Sequence, residues 1–147
     1  MRTIFFDMDN TIAALYDVPN WLDKLRAYDA SPYAEAAVML NMSLLARLLN
    51  RAQKAGHQIA IISWLSKMPT PEYDKLVTET KLAWLAKHLK SVHFDEIHIV
   101  AHGTPKQSFM KSENDILFDD EEKNRNNWTG EAYEPSDIIR VLKELLE

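Results

Sequence analysis

The stretch FFDMDNTIA, from Phe5 to Ala13, constrains the fold of this chain more than any other. An apolar run begins at Ile4 and ends directly in two carboxylates at alternate positions, Asp7 and Asp9. An apolar run bounded by charge in this way predicts a short buried strand. The end of that strand would bring Asp7 to the edge of a sheet where ligands of open α/β sheets bind. Two carboxylates this close repel each other unless a metal ion or a proton lies between them, so the pair indicates chemistry.

The composition is that of a globular domain. The chain has 147 residues, of which 46% are hydrophobic and 27% charged, and this length supports a single well-formed core. No apolar run is long enough to span a bilayer. The formal charge of −5 argues against general nucleic-acid binding, because such surfaces carry an excess of basic residues. We therefore expect one domain over residues 1–147, without membrane contact or a general nucleic-acid-binding surface.

The chain contains no cysteine, and its first strand follows Met1-Arg2-Thr3 at once. The missing cysteines exclude disulfides, thiolate metal sites and cysteine nucleophiles. We find no secretory signal ahead of the strand. Both features fit a cytoplasmic protein, and we expect that location.

Apolar runs and helical patterns alternate along the rest of the chain. Further strands are predicted at 58–62, 97–100, 116–118 and, at one edge, 132–133. Helical patterns are predicted at 44–52, 71–89 and 138–146. The polar, Asn-rich stretch 121–130 predicts a loop. The alternation predicts an α/β fold, a Rossmann-like parallel sheet with helices on both faces.

Residues 14–40 interrupt this alternation. Trp21, Leu25 and Tyr28 fall at helical spacing, which predicts a short amphipathic helix, and we expect Ser31-Pro32 to break it. We interpret the whole stretch as a small helical cap insert over the end of the sheet, within the same domain.

Polar side chains stand at or just after the predicted strand ends. Asp7, Ser63 and the doublet Asp119-Asp120 come at strand ends, and Lys106 follows the turn after the third strand. The carboxyl ends of parallel strands share one edge of a sheet, so these side chains should meet. Mg²⁺ prefers carboxylate oxygens and a substrate phosphate, and lysine is a compact phosphate-binding charge. The set therefore predicts a site that handles phosphate on Mg²⁺.

These segments resemble the four motifs of the haloacid dehalogenase-like phosphohydrolases. DMDNT (7–11) is similar to their first motif, IAIIS (59–63) to the second and ILFDD (116–120) to the fourth. The third motif, a lysine, is matched by Lys106 or by Lys111. We favour Lys106 because it directly follows the third strand's turn. Within the superfamily, DMDNTIA looks most like the 5'(3')-deoxyribonucleotidases.

The resemblance implies a mechanism. Asp7 would be the nucleophile that forms an aspartyl-phosphate, and Asp9 would protonate the leaving oxygen and then activate water. The residues implied to hold Mg²⁺ are Asp7, Asp9 through its main-chain carbonyl, Asp119 and Asp120. The residues implied to bind the phosphoryl oxygens are Thr11, Ser63 and Lys106.

The implied substrate is a small phosphate ester, a (deoxy)nucleoside 5'- or 3'-monophosphate. Tyr16 and Trp64 lie close in sequence to the first two motifs and are candidates to stack on a base. The insert is shorter than the helical cap of nucleotidases. We therefore expect a site that is open, or one closed by the partner subunit of a homo-oligomer.

Two other functions are compatible with these residues. One is a phosphatase that processes polynucleotide ends, which a small cap would permit although the acidic composition argues against it. The other is a non-enzymatic phospho-accepting or metal-binding module such as a receiver domain. In receiver domains the acidic pair precedes the phosphorylated aspartate. Here the first strand ends in D-x-D and the acidic doublet comes last, which favours the enzyme.

Overall fold

Five parallel strands form the central sheet. In the computed structural model, which describes residues 1–147, the strands of the chain are β1 (Thr3–Phe6), β2 (Ala13–Ala14), β3 (Ala37–Val38), β4 (Gln58–Trp64), β5 (Glu96–Val100), β6 (Ile116–Phe118) and β7 (Glu131–Tyr133). The sheet has the order β5-β4-β1-β6-β7, and every neighbouring pair is parallel. The predicted α/β fold with a parallel sheet flanked by helices is confirmed.

Six α-helices accompany the strands. They are α1 (Trp21–Arg26), α2 (Ser31–Glu35), α3 (Met42–Lys54), α4 (Pro71–His88), α5 (Glu122–Asn127) and α6 (Ile138–Leu145). None of them is both long and apolar enough to cross a membrane. The two longest begin at side-chain caps: Asn41 accepts from the backbone N–H of Leu44, and Thr70 from that of Tyr73.

Side chains along each strand point alternately to the two faces of the sheet, and both faces are buried. On one face, Ile4 and Phe6 of β1 and Ile59 and Ile61 of β4 pack against α3, α6 and the C-terminal half of α4. On the other face, a smaller cluster around Phe5 packs against shorter segments that include Trp128.

The cap insert is built from α1, α2 and a small antiparallel ladder. β2 pairs with β3, and this ladder joins the two ends of the insert. The sequence did not predict it, because two-residue strands carry no readable alternation. Ser31-Pro32 begin α2 rather than break a helix, since proline is tolerated in the first helical turn, where no N–H partner is needed. The N-terminal half of α4 packs on the insert through Tyr73 and Val77.

The prediction of a loop over 121–130 was wrong in its first half, which forms α5. This helix is polar and lacks the apolar periodicity by which helices are recognised. Tertiary hydrogen bonds hold it instead: Asn124 donates to the Asp119 carboxylate and Arg125 to the Asp119 carbonyl.

Candidate active site

The C-terminal ends of β1, β4 and β6 meet at one edge of the sheet. From β1 the chain continues to β4 and β5 on one side and later crosses to β6 and β7 on the other, so β1 lies at the point where the strand order reverses. The backbone N–H of Asp7 donates to the Phe118 carbonyl at 2.9 Å, which joins the ends of β1 and β6. A cavity of about 410 Å³ opens there, within the usual range for small-molecule sites.

Asp7 lies at the floor of this cavity with both carboxylate oxygens held. Its Oδ1 accepts from Lys106 Nζ at 2.9 Å, and its Oδ2 accepts from the Thr11 hydroxyl at 2.8 Å. The side chain is nearly buried, yet it lines the cavity. Two donors on opposite sides leave Asp7 little rotational freedom.

Lys106 links Asp7 to the doublet after β6. Its Nζ also donates to Asp119 Oδ2 at 2.7 Å, and the ring of Trp64 lies 5.2 Å from the ammonium. An ammonium has three N–H donors, and only two are used within the chain. Burial works against the charged form, but the carboxylates of Asp7 and Asp119 outweigh it and raise the pKa of Lys106. One N–H of a permanent cation is thus available to a ligand in the cavity.

Three carboxylates gather beside this lysine. Oxygens of Asp7, Asp119 and Asp120 lie within 4.8 Å of one another. Burial, and after it the Asp7 carboxylate, raises the pKa of Asp119 to about 6 and that of Asp120 to about 8. The main-chain carbonyl of Asp9 accepts no hydrogen bond from the chain. This crowded set of hard oxygen donors fits a divalent cation such as Mg²⁺.

Asp9 forms an ion pair with a second buried lysine, Lys81, which the sequence did not predict. Lys81 Nζ lies 2.9 Å from Asp9 Oδ2, 2.7 Å from Ser63 Oγ and 2.7 Å from the Trp64 carbonyl. Burial raises the pKa of Asp9 above its usual value, against the opposing effect of the Lys81 ammonium. Asp9 lines the cavity, while Lys81 lies behind it and is only 1% exposed.

Neither Thr11 nor Ser63, the two hydroxyl residues expected to bind phosphoryl oxygens, lines the cavity. The hydroxyl of Thr11 has one proton, and the nearest acceptor is Asp7, so Thr11 orients the carboxylate from behind. Ser63 is fully buried. It was expected to follow the strand, but β4 continues through Trp64. Alternation then places Ser63 on the helix-covered face with Ile61, where it accepts from Lys81.

The structure separates the two lysines that the sequence left as rivals. Lys106 reaches Asp7 and Asp119, whereas Lys111 contacts Gln58 and Glu96. Those two residues start β4 and β5, at the opposite edge of the sheet from the cavity.

The two aromatic candidates lie in different surroundings. Tyr16 is 55% exposed at the cavity wall and stacks on Trp21 with ring centroids 4.5 Å apart. Trp64 also lines the cavity, but its ring is already in contact with the Lys106 ammonium and, in a T-shaped arrangement, with the ring of His102. Its indole N–H donates to the Thr104 carbonyl. Tyr16 and Trp21 therefore form a stacked aromatic pair at the cavity, in which Tyr16 is exposed and Trp21 is partly buried.

A signal for Lys81 was present in the sequence. The buried residues of α4 are Tyr73, Val77, Lys81, Trp84 and Leu85. A lysine four residues after Val77 on this apolar face needs a buried partner, because an unpaired charge in a core is very costly. Leu76, one residue before Val77, lies off this face and is exposed.

Comparisons with known proteins identify the fold. No protein-family model matches the chain, and no curated protein has a significantly similar sequence. The D,D-heptose 1,7-bisphosphate phosphatase from Burkholderia thailandensis is 12% identical, with a TM-score of 0.56 over 100% of this chain and 99% of that chain. The same phosphatase from B. bronchiseptica, solved in complex with magnesium and phosphate, is 12% identical, with a TM-score of 0.60 over 99% of this chain and 98% of that chain. The chain has the fold of these phosphatases.

Proposed function

We propose that this chain is a Mg²⁺-dependent phosphomonoesterase that works through an aspartyl-phosphate on Asp7. One observation carries the proposal: Asp7 shares the cavity floor with a three-carboxylate cluster and with a lysine that keeps a spare N–H. That combination of nucleophile, cation ligands and phosphate donor is what transfer of a phosphoryl group requires. The likeness in fold to phosphatases, one of them solved with magnesium and phosphate, agrees with it.

In the first step, an oxygen of Asp7 attacks the phosphorus of the ester. The bond from phosphorus to the ester oxygen breaks as the new bond to Asp7 forms. Asp9 gives a proton to the departing oxygen, which leaves as an alcohol. The spare N–H of Lys106 donates to a phosphoryl oxygen and stabilises its developing charge.

In the second step, Asp9 takes a proton from a water molecule, whose oxygen attacks the phosphorus. The bond between phosphorus and Asp7 breaks, which releases inorganic phosphate and restores both carboxyl groups. Asp7, Asp119, Asp120 and the Asp9 carbonyl would hold Mg²⁺, which when bound offsets negative charge on the phosphoryl group. Thr11 keeps Asp7 oriented through both steps.

For the substrate, we propose a small nucleoside monophosphate, which extends the resemblance to deoxyribonucleotidases. The stacked pair Tyr16 and Trp21 faces the cavity from the insert, and apolar side chains such as Leu25 and Met68 line the same cavity. A base stacked on this pair would gain on the order of 1–3 kcal/mol. A sugar bisphosphate is the second candidate, because Arg26 and Lys67 also line the cavity and could pair with a second phosphate.

The test is a phosphatase screen with and without Mg²⁺. The substrates are p-nitrophenyl phosphate, deoxynucleoside monophosphates, sugar mono- and bisphosphates, and a 3'-phosphorylated oligonucleotide. We expect Mg²⁺-dependent release of phosphate, highest kcat/KM for a nucleotide, and no turnover by Asp7→Asn, since an amide cannot act as this nucleophile. Turnover by Asp7→Asn would refute the covalent mechanism. A clear preference for a sugar bisphosphate or for the oligonucleotide would refute the nucleotide substrate and leave the phosphatase standing.

A further inference from the structure

Lys81 is the most unusual charge of the chain. It projects from the buried face of α4 and is 1% exposed, and the ring of Tyr33 from the cap insert lies 4.8 Å from its ammonium. Burying an ammonium costs several kcal/mol unless partners compensate, and an apolar residue at this helix position would avoid that cost. The presence of the Lys81 ammonium at this buried position therefore indicates a function in the site.

The hydrogen bonds of Lys81 show that it does not bind substrate. An ammonium has three N–H donors, and those of Lys81 are directed to Asp9, Ser63 and the Trp64 carbonyl. None remains for a phosphoryl oxygen, in contrast to Lys106. Lys81 also does not line the cavity.

The same bonds determine how Asp9 is presented to the cavity. Lys81 holds Oδ2 of Asp9, whereas Oδ1 has no hydrogen-bond partner in the chain. The side chain of Asp9 is 24% exposed and lines the cavity, so Oδ1 is the oxygen available to a substrate or a water. Ser63 and the Trp64 carbonyl belong to the rigid end of β4, and they hold the ammonium in place.

We propose that Lys81 is a positioning residue for the acid–base step: anchored on the end of β4, it holds one oxygen of Asp9 so that the other exchanges protons in the cavity. The proposal rests on the proposed phosphatase function. A carboxyl group that is free to rotate loses proton-transfer geometry, and a displacement of about 1 Å can cost on the order of 100-fold in rate. Loss of Lys81 should therefore affect steps that need a proton from Asp9 and spare steps that do not.

The experiment compares two leaving groups in Lys81→Met, whose side chain keeps the unbranched stem. Single-turnover cleavage is measured for p-nitrophenyl phosphate, whose leaving group departs without protonation, and for the best alkyl phosphate ester of the screen. We expect cleavage of the alkyl ester to fall about 100-fold and that of p-nitrophenyl phosphate by less than about 5-fold, with inhibition by inorganic phosphate unchanged. Lys75→Met, an exposed lysine on the same helix, is the matched control and should change neither rate.

Equal losses for the two esters, or no loss for either, would overturn the positioning role. Weaker inhibition by inorganic phosphate would instead show that Lys81 binds substrate directly, and would also overturn it. If Lys81→Met does not fold, the test uses the double variant Lys81→Met/Asp9→Asn. This variant has no carboxylate at position 9 that would be left without its ion-pair partner. In the Asp9→Asn background, replacing Lys81 should leave single-turnover cleavage of p-nitrophenyl phosphate unchanged, and a fall in this rate would refute the proposal. A chain that cleaves no phosphate ester before any substitution would refute the proposed function, and the positioning role with it.

Discussion

Replacing Lys106 by methionine should reduce both activity and stability, and the structure indicates the size of each loss. Lys106 makes ion pairs of 2.9 Å with Asp7 and 2.7 Å with Asp119, and all three side chains are less than a tenth exposed. Removing one partner from a buried ion pair costs about 3–5 kcal/mol, because the remaining charge stays buried without compensation. Loss of a donor to the transition state costs about 100- to 1,000-fold in kcat.

Added Mg²⁺ should distinguish the loss of stability from the loss of activity. The cation would bind the same carboxylates, and a ligand at 100 times its dissociation constant adds about 2.7 kcal/mol to the free energy of unfolding. We therefore expect Lys106→Met to be strongly destabilised in EDTA, to recover much of its stability in Mg²⁺, and to remain inactive there. The assays are urea denaturation under both conditions and steady-state kinetics with p-nitrophenyl phosphate.

Lys111→Met is the matched control. Lys111 makes its ion pair with Glu96 at the opposite edge of the sheet and is half exposed. Exposed pairs contribute about 0–1 kcal/mol, so we expect normal kcat and only a small change in stability. If Lys111→Met lost more activity than Lys106→Met, or if Lys106→Met kept normal kcat, the role of Lys106 would be refuted.

Two further predictions concern the carboxylates. Asp9→Asn should lose turnover but keep most of its affinity for Mg²⁺, because the proposed ligand is the main-chain carbonyl; calorimetry showing no Mg²⁺ binding would contradict this. For stability against pH, the pKa values of Asp119 (about 6) and Asp120 (about 8) lie above the ordinary 3.8, so the folded chain binds these protons more tightly than the unfolded chain. Without metal, the free energy of unfolding should therefore fall as pH rises from about 4 to about 8. Urea denaturation in EDTA checks this, and stability that rises over this range would show that the carboxylates do not repel one another as described.

The sequence was most informative where a side chain directly follows an apolar strand. Asp7 and Asp119 are such residues, and the parallel order of their strands is enough to bring them together. Lys106 could be chosen over Lys111 for the same reason, since it comes directly after the turn that leaves β5. These predictions needed only the strand ends and the rule that parallel strands share one C-terminal edge.

The sequence was least informative where the direction of a side chain depends on the residue at which its strand ends. Ser63 was expected to bind phosphate just after the strand, but β4 continues two residues beyond its predicted end, to Trp64. Ser63 is therefore part of the strand, and alternation places it on the helix-covered face with Ile61. Lys81 was missed because its partners are far from it in sequence: Asp9 lies in the turn after β1, and Ser63 and Trp64 lie on β4. α5 was missed because tertiary contacts of Asn124 and Arg125, rather than apolar periodicity, hold it.

The charges of the site bear on how many metal ions it holds. The ion pairs and the three-carboxylate cluster around Asp7 involve the four carboxylates Asp7, Asp9, Asp119 and Asp120 and the two ammonium groups Lys81 and Lys106. Fully ionised, this set has a formal charge of −2, which one divalent cation neutralises. The metal-free chain can relieve the same repulsion only by retaining protons, and the raised pKa of Asp120, about 8, makes this carboxyl the main proton carrier at neutral pH.

We therefore predict that the chain binds one Mg²⁺ and releases about one proton as it binds at pH 7, because a ligand carboxylate must be deprotonated. Calorimetric titration gives the stoichiometry, and repeating it in two buffers of different ionisation enthalpy gives the number of protons. Asp120→Asn is the informative variant: it should bind Mg²⁺ more weakly and release almost no proton. Two ions per chain, or binding without proton release in the unsubstituted chain, would refute this charge balance.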